Sequence, residues 1–260
     1  MKEIISLFEK RLHMNEGALA DESMRLEQLN ELLEQMALVL PFENRRVLTE
    51  DAYRVDRDSL LERLLLHRSG GLCYELNTLL YYVLSAKGMD VSLVQGQVYD
   101  AALGDWLSMG NSHILIILQL NEQQYLVDNG FGIRLPLRAV PLHGNPVVSR
   151  NGEFRISTED GYCILQQKQL HQSPDWQICY RFRLDDVIDE SVVNDIQQLV
   201  RQHPDSKFNK SVLITRCTDT GSMTLTDHSY TVVNHGDIQK EPIDDQQFAV
   251  LVRDTFQLDV

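Results

Sequence analysis

The sequence has no long hydrophobic run and no excess of basic residues. No apolar segment approaches the ~20 residues that a membrane-spanning helix needs. The N-terminal stretch MKEIISLFEKRLHMNE carries charges throughout and lacks the apolar core of a signal peptide. The 38 acidic residues outnumber the 24 basic ones, and a net charge of −14 repels nucleic acid and anionic membranes. We therefore expect a cytoplasmic protein that binds neither nucleic acid nor membrane.

Cysteine is scarce, and the four cysteines are too far apart for a CxxC metal or redox motif; they are Cys73, Cys163, Cys179 and Cys217. In a cytoplasmic chain we expect free thiols, one of them reactive and the others packing residues or surface thiols. His67 lies near Cys73 and His113 follows later, but two histidines and one cysteine without a ligand spacing are poor evidence for zinc. We therefore predict no metal site.

Length and periodicity indicate a mixed fold. The chain of 260 residues is long enough for two or three closely packed subdomains. Apolar residues recur at helical spacing through the first third, where Ser59 and Glu62 predict a capping box. After Gly88 the apolar period changes to two, which predicts an antiparallel sheet or barrel with strands over 91–99, 114–120, 125–127 and 176–184. From about Ser191 helix and strand patterns mix.

The stretch around Cys73 carries the strongest chemical signal. Gly70 and Gly71 allow a sharp turn, and Cys73 follows them at the predicted start of a helix. The partial positive charge at a helix N-terminus favours thiolate over thiol. Cys73 is therefore a candidate nucleophile, although a cysteine that merely packs in a helix would show part of the same pattern.

A cysteine nucleophile needs a base and a group that orients it. His113 stands at the entry to a core strand, and Asp128 follows the next strand. A hairpin across the polar residues 121–124 would place the two side chains side by side. Taken singly, they also fit a capping histidine and a turn aspartate. Because papain-like and transglutaminase-like enzymes share this order, the residues alone predict a cysteine acyl-transfer site and no more.

Five motifs in this order and spacing extend from about residue 40 to about residue 210: Pro41-Phe42-Glu43-Asn44, Gly70-Gly71-Leu72-Cys73-Tyr74-Glu75-Leu76-Asn77, Ser112-His113, Leu126-Val127-Asp128-Asn129-Gly130-Phe131-Gly132 and Pro204-Asp205-Ser206-Lys207-Phe208. Each is moderately specific, and together they make the sequence resemble the arylamine N-acetyltransferases. The chain length fits that family as well, so the resemblance extends over the whole chain.

The resemblance implies an α+β fold with a cysteine-protease-like core. Its parts would be an N-terminal helical bundle over residues 1–88 that carries the nucleophile, an antiparallel β-barrel over 89–190 that carries histidine and aspartate, and an α/β lid over 191–260. It implies a catalytic triad of Cys73, His113 and Asp128. It also implies an acceptor pocket and coenzyme A contacts; the pocket residues would be Phe42, Val98, Phe131 and Phe208, and the coenzyme contacts Gly110 and Thr218.

One position departs from the family pattern. The family usually has arginine directly before Gly-Gly, whereas this chain has Ser69 there and Arg68 one residue earlier. If that arginine braces the active-site loop, we expect the brace to be altered or supplied by Arg68. Glu75 is expected either to hold the loop through hydrogen bonds or to be an exposed helix residue.

The activity that the resemblance implies is ping-pong transfer of acetyl groups from acetyl-CoA to arylamines, arylhydrazines or N-hydroxyarylamines through an acetyl-cysteine, with a role in xenobiotic metabolism. An amide synthase or a cysteine hydrolase on the same scaffold is an alternative. A binding module without activity is a third reading, against which the intact Cys-His-Asp set argues. The small-molecule partners are then an aromatic amine or hydrazine and coenzyme A. The sequence does not reveal the oligomeric state.

Overall fold

The computed structural model describes residues 2–21, 24–49, 53–170 and 174–259. The first part of the chain is helical, with α1 (Lys2–Arg11), α2 (Leu26–Val39), α3 (Arg45–Leu48), α4 (Arg57–Leu60) and α5 (Cys73–Ala86). A π-helical turn, Leu61–Leu66, continues α4. Leucines from α2, the π-helical turn and α5 meet in one core, which explains the helical spacing of the apolar residues. In the described part of the chain, no helix is long and apolar enough to cross a membrane.

The predicted capping box at Ser59 is wrong by one turn. Asp56 is the N-cap of α4, and its carboxylate accepts a hydrogen bond from Ser59 N at 3.0 Å. Ser59 is the third helical residue, and its Oγ accepts in return from Asp56 N at 3.1 Å. Because Asp caps a helix as well as Ser does, the two candidates could not be separated by residue type alone.

Among the residues that the structure describes, eight antiparallel strands form the middle of the molecule: β2 (Asp90–Asp100), β3 (Asp105–Leu120), β4 (Gln123–Val127), β5 (Val140–Pro141), β6 (Val147–Ser149), β7 (Gly152–Glu159), β8 (Tyr162–Gln169) and β9 (Gln177–Val187). Their order is β5-β4-β3-β2-β9-β8-β7-β6. Because β5 also contacts β7, the sheet curls into a nearly closed barrel, as predicted.

The predicted hairpin between the third and fourth strands is present. Ile116 pairs with Val127, and the turn consists of Asn121 and Glu122. Both residues have positive φ, which a type I′ turn requires. The alternation predicted over 176–184 fails at two places, since Cys179 is buried beside Tyr180 and Leu184 is 38% exposed.

The last part of the chain contains α6 (Glu190–Gln202), β10 (Leu213–Thr218), β11 (Gly221–Thr226), β12 (Ser229–Asn234), β13 (Asp237–Pro242) and α7 (Asp245–Val250), which a second π-helical turn, Leu251–Thr255, continues. The strands form a five-stranded sheet of order β1-β10-β11-β12-β13, where β1 is Phe42–Glu43 from the N-terminal part. Sequence reasoning missed β13 because it is exposed along its whole length and has no apolar alternation.

The α+β architecture of helices, barrel and α/β region is as predicted. The expected boundaries after residues 88 and 190 fall close to the ends of α5 and the barrel, and the division into domains stays a prediction. Several contacts cross it. Among them, β1 completes the C-terminal sheet, and the buried side chains of α6 join the core of the N-terminal helices. The strand and helix that cross these boundaries bring Phe42 and the 204–208 loop towards Cys73.

Candidate active site

Cys73 is the first residue of α5 and is buried. The Gly70-Gly71 segment before it packs directly on Pro41–Glu43, with Gly71 N donating to Pro41 O at 3.2 Å. A Cβ at Gly70 would lie 2.3 Å from Pro41 O, and one at Gly71 would lie 2.8 Å from Glu75 Cβ. The glycines are therefore needed for close approach of the backbone, in addition to any freedom of the turn.

His113 and Asp128 lie side by side, as the hairpin predicted. His113 Nε2 is 2.8 Å from Asp128 Oδ2, and both side chains are buried. Cys73 and His113 line the same cavity, with the thiol close enough to the ring to help raise the pKa of His113, and the Cys73 Sγ lies 3.8 Å from Ser112 O. The structure thus brings Cys73, His113 and Asp128 into one chain of contacts.

Asp128 is held by four hydrogen-bond donors. Besides His113, the Tyr180 hydroxyl donates to Oδ2 at 2.7 Å, while Asn77 Nδ2 and Gly130 N donate to Oδ1 at 2.7 and 2.8 Å. Each lone-pair direction of the carboxylate is occupied, so the group stays ionised and its orientation is set before any substrate binds.

The electrostatics of this pair favour an imidazolium and a carboxylate. Burial by itself would lower the pKa of His113, but the Asp128 carboxylate and the hydrogen bonds to Asp128 and Cys73 outweigh it and raise that pKa to about 10. Burial by itself would raise the pKa of Asp128, but His113, Asn77 and Tyr180 hold it below its ordinary value. The site can therefore keep a proton on the imidazole beside the thiol.

Sequence reasoning missed the structural roles of Asn77 and Tyr180. Asn77 Nδ2 also donates to Ile114 O at 2.7 Å, and its Oδ1 accepts from Asn129 N at 2.8 Å, so one side chain joins α5 to β3 and to the segment that follows β4. Asn77 stands one helical turn after Cys73 on a buried face, and Tyr180 lies in the strand predicted over 176–184. Neither pattern predicted a contact with Asp128, because the hydrogen bonds of Asn77 and Tyr180 with Asp128 join segments that are far apart in the chain.

The active-site cavity has a volume of about 620 Å³, and Cys73 and His113 open onto it. Its wall is largely apolar and includes all the residues expected to form the acceptor pocket, namely Phe42, Val98, Phe131 and Phe208. The Phe131 ring stands edge-on to His113 at 5.2 Å. Asp128 is behind His113 and is not among the lining residues. An apolar cavity of this size can take an aromatic ring.

The two residues expected to contact coenzyme A do not line this cavity. Gly110 lies within β3 at a positive φ of 66°, and Thr218 ends β10 opposite Gly221. Their contact with coenzyme A stays a prediction. The charged residues that line the cavity are Asp100, Arg134, Asp205 and Lys207.

Ser69, which stands where the family usually has arginine, is buried. Arg68 is exposed and does not supply the brace. Glu75 is buried, accepts from Leu72 N at 2.9 Å and lies 3.4 Å from Arg63 Nη2, which confirms the first of the two expectations for this residue. The sequence analysis did not identify Arg63, because the spacing of apolar residues does not reveal the π-helical turn that directs its side chain inward.

The other three cysteines are buried packing residues. Burial raises the pKa of Cys179 to about 12 and that of Cys217 to about 11, and it raises the pKa of Cys163 as well. They stay protonated at neutral pH. Cys73 is the one cysteine among the described residues that lines the cavity.

Comparisons with known proteins identify the family of the chain. A family model described as N-acetyltransferase matches residues 25–260. The uncharacterized acetyltransferase YvcN of Bacillus subtilis is 38% identical over 216 residues, which cover 81% of this chain and 83% of that one. The probable arylamine N-acetyltransferase 2 of Dictyostelium discoideum is 28% identical and covers 80% of this chain and 78% of its own.

Solved structures show the same architecture. An arylamine N-acetyltransferase of Bacillus cereus, described with a Cys-His-Glu catalytic triad, superposes with a TM-score of 0.92 at 35% identity over the full length of both chains. The arylamine N-acetyltransferase of Salmonella typhimurium superposes with a TM-score of 0.90 at 26% identity, covering 99% of this chain and 92% of its own. With a matching family model over most of its length and these neighbours, the chain belongs to the arylamine N-acetyltransferase family of acyltransferase enzymes.

Proposed function

We propose that this enzyme transfers acetyl groups from acetyl-CoA to arylamines, arylhydrazines or N-hydroxyarylamines by a ping-pong mechanism through acetyl-Cys73. The observation that carries the proposal is the chain of contacts Cys73–His113–Asp128 with Cys73 and His113 at the wall of an apolar cavity of about 620 Å³. In this proposal Cys73 is the nucleophile, His113 the acid and base, and Asp128 the group that orients the imidazole.

In the first half-reaction, the Cys73 thiolate attacks the carbonyl carbon of the acetyl thioester. The bond between that carbon and the sulfur of coenzyme A then breaks, and the His113 imidazolium protonates the departing thiolate. The free thiol of coenzyme A leaves, and acetyl-Cys73 remains beside a neutral imidazole. The three other donors to Asp128 support this step, because they fix the carboxylate that orients the imidazole while the charge of the imidazole changes.

In the second half-reaction, the nitrogen of the acceptor attacks acetyl-Cys73. His113 takes a proton from that nitrogen, and the Cys73 thiolate leaves, which restores the starting ion pair. Aromatic amines are weak bases and are largely neutral at pH 7, so their lone pair is free to attack. Phe42, Val98, Phe131 and Phe208 line the cavity and supply the surface on which an aromatic ring would pack.

Intact mass spectrometry tests the proposal directly. Incubation with acetyl-CoA is expected to add one acetyl group, and Cys73→Ala is expected to abolish the adduct. Cys163→Ala is the matched control, because Cys163 is buried and does not line the cavity, and it is expected to keep the adduct. A parent enzyme that forms no adduct, or a Cys73→Ala variant that still forms it, would contradict the proposed function.

The hydrolase and amide synthase alternatives are separated by the fate of the adduct. For an acetyltransferase, acetyl-Cys73 is expected to persist in water and to disappear when an arylamine or arylhydrazine is added, with the acetyl group recovered on nitrogen. Loss of the adduct at the same rate with and without acceptor would indicate a hydrolase. Acylation by a tethered long acyl chain but not by acetyl-CoA would indicate an amide synthase.

A further inference from the structure

The loop that presents Cys73 is hydrogen-bonded to a second buried carboxylate, that of Glu75. Glu75 Oε2 accepts from the backbone N of Leu72, the N-cap residue of α5, at 2.9 Å. Its Oε1 accepts from the Tyr53 hydroxyl and from Arg63 Nη2, the latter at 3.4 Å. In all three hydrogen bonds a carboxyl oxygen of Glu75 is the acceptor, a role that an ionised carboxylate can fill with both of its oxygens. The position of the first turn of α5 therefore depends on the state of Glu75.

Arg63 reaches this carboxylate from the π-helical turn. Its side chain is 9% exposed, and its guanidinium lies over the Tyr53 ring with 3.3 Å from Cζ to the ring centroid. Its backbone O also accepts from Ser69 N at 2.9 Å. One residue thus holds the loop before Cys73 at two points: Ser69 through its carbonyl, and Leu72 indirectly through Glu75. Single π-helical turns occur frequently at functional sites.

Arg63 is a costly residue for packing alone. Within the described ranges, its Nε and Nη1 atoms are buried and have no hydrogen-bond partner. A buried ion pair with unsatisfied donors contributes little net stability, and apolar residues of similar volume often replace one without loss. A cavity lies beside Ser69 and is also lined by Glu43, Arg45 and Arg46. The Ser69 side chain therefore does not fill the space next to this loop.

We propose that Arg63 is a positioning residue for acyl transfer, which holds the Glu75 carboxyl group and thereby fixes the loop and helix start that present Cys73 to His113. The inference rests on the proposed function for the reaction, but it concerns the reactivity of the thiol itself. Arg63 acts through Glu75 and does not line the active-site cavity.

The titratable and charged groups that face Glu75 come from four segments. They are Arg63 on the π-helical turn, Tyr53 before α4, Tyr74 on α5 and Glu43 on β1. Burial raises the pKa of Glu75 above its ordinary value, and Arg63 opposes that rise while Glu43 adds to it. Removing the Arg63 charge therefore leaves Glu75 to take up a proton at a higher pH than in the parent.

The test compares Arg63→Met, which removes the charge at similar length, with Arg63→Lys, which keeps it. The rate of Cys73 alkylation by iodoacetamide is measured from about pH 6 to about pH 8 and divided by the parent rate at each pH. We expect Arg63→Met to be slower by about tenfold at the acidic end and closer to the parent at the basic end. Arg63→Lys is expected to follow the parent.

The double variant Arg63→Met/Glu75→Gln identifies the group that titrates. Because glutamine cannot take up a proton in this range, the double variant is expected to lose the acidic decline that Arg63→Met shows. An Arg63→Met profile parallel to that of the parent would overturn the proposal, and so would an acidic decline that persists in the double variant. If Arg63→Met does not fold, Tyr53→Phe, which removes one donor to Glu75, is expected to show a weaker acidic decline, and a flat ratio there would overturn the proposal.

If Arg63 served packing alone, the stability of the Arg63→Met variant and the reactivity of its Cys73 would change with pH in the same direction. Since the folded-state pKa of Glu75 is raised, its contribution to stability is present at low pH and is lost as the pH rises through that pKa. Arg63→Met should therefore be more stable at acidic pH, where it is less reactive. Stability and reactivity that fall together at acidic pH would contradict the proposal. Alkylation needs no acetyl-CoA, so a parent without an acetyl adduct would refute the proposed function while this test still stands.

Discussion

Asp128 and Glu75 are both buried carboxylates close to Cys73, and their surroundings differ. Asp128 accepts four hydrogen bonds and contacts His113 at 2.8 Å, and its pKa is held below the ordinary value. Glu75 accepts three, its cationic partner Arg63 is 3.4 Å away, and its pKa is raised. Equal burial thus leads to opposite shifts, because the number of donors and the closeness of the cation decide which charge state is favoured.

The difference separates two kinds of support for one cysteine. The Asp128 region holds the imidazole, whose charge changes during the proposed reaction. The Glu75 region holds backbone, and no atom there changes charge in the proposed steps. We therefore expect substitutions around Asp128 to reduce activity much more than substitutions around Glu75, and three predictions sharpen this contrast in order of size.

The largest effect is expected for Asp128→Asn. The amide keeps the shape of the carboxylate but cannot stabilise an imidazolium, so we expect the rate of acetyl-Cys73 formation to fall by about 10³-fold or more. Rapid-quench measurement of the adduct checks this, and Asp185→Asn on the exposed surface is the matched control. A loss below about tenfold would place Asp128 with Glu75 in the weaker class.

A smaller effect is expected for Tyr180→Phe. This change removes one of the four donors to Asp128 and keeps the ring contact with His113, whose centroid is 4.6 Å away. The loss of one hydrogen bond to a charged group, about 2 kcal/mol, corresponds to a fall in acetylation rate of roughly tenfold to thirtyfold. Tyr125→Phe serves as the control, since its hydroxyl contacts only Gln123 among the described residues. Equal rates for both variants would show that three donors suffice.

The third prediction concerns stability and does not measure activity. His113 has a folded-state pKa raised to about 10, so its contribution is fully present below its unfolded pKa of 6.5 and is lost as the pH rises towards about 10. Urea unfolding of the parent should therefore show a free energy of unfolding that declines over this range. His113→Asn is expected to flatten that decline, and an unchanged slope would refute the assignment of a charged imidazole.

Much of the fold and of the candidate site was predictable from local patterns. The start of α5 at Cys73 follows from the glycines before it and the apolar spacing after it. The contact between His113 and Asp128 follows from a hairpin that the polar turn residues predict. Other features could not be predicted from local patterns. β13 has no apolar alternation. Asp56 and Ser59 are both good capping residues within one turn, so residue type alone did not show that Asp56 caps α4.

The sequence by itself singled out Cys73, His113 and Asp128 as the candidate nucleophile and its two candidate partners. Cys73 begins a helix, Asp128 follows a strand, and His113, which lies within β3, precedes an apolar run, so short-range patterns were enough to select them. Only the tertiary structure decided how these groups are supported. Tyr180 meets Asp128 across the barrel, Arg63 reaches Glu75 through a π-helical turn, and Phe208 faces Phe42 over the cavity. Such contacts join segments far apart in the chain, and their energies depend on burial and on distances that no local pattern contains.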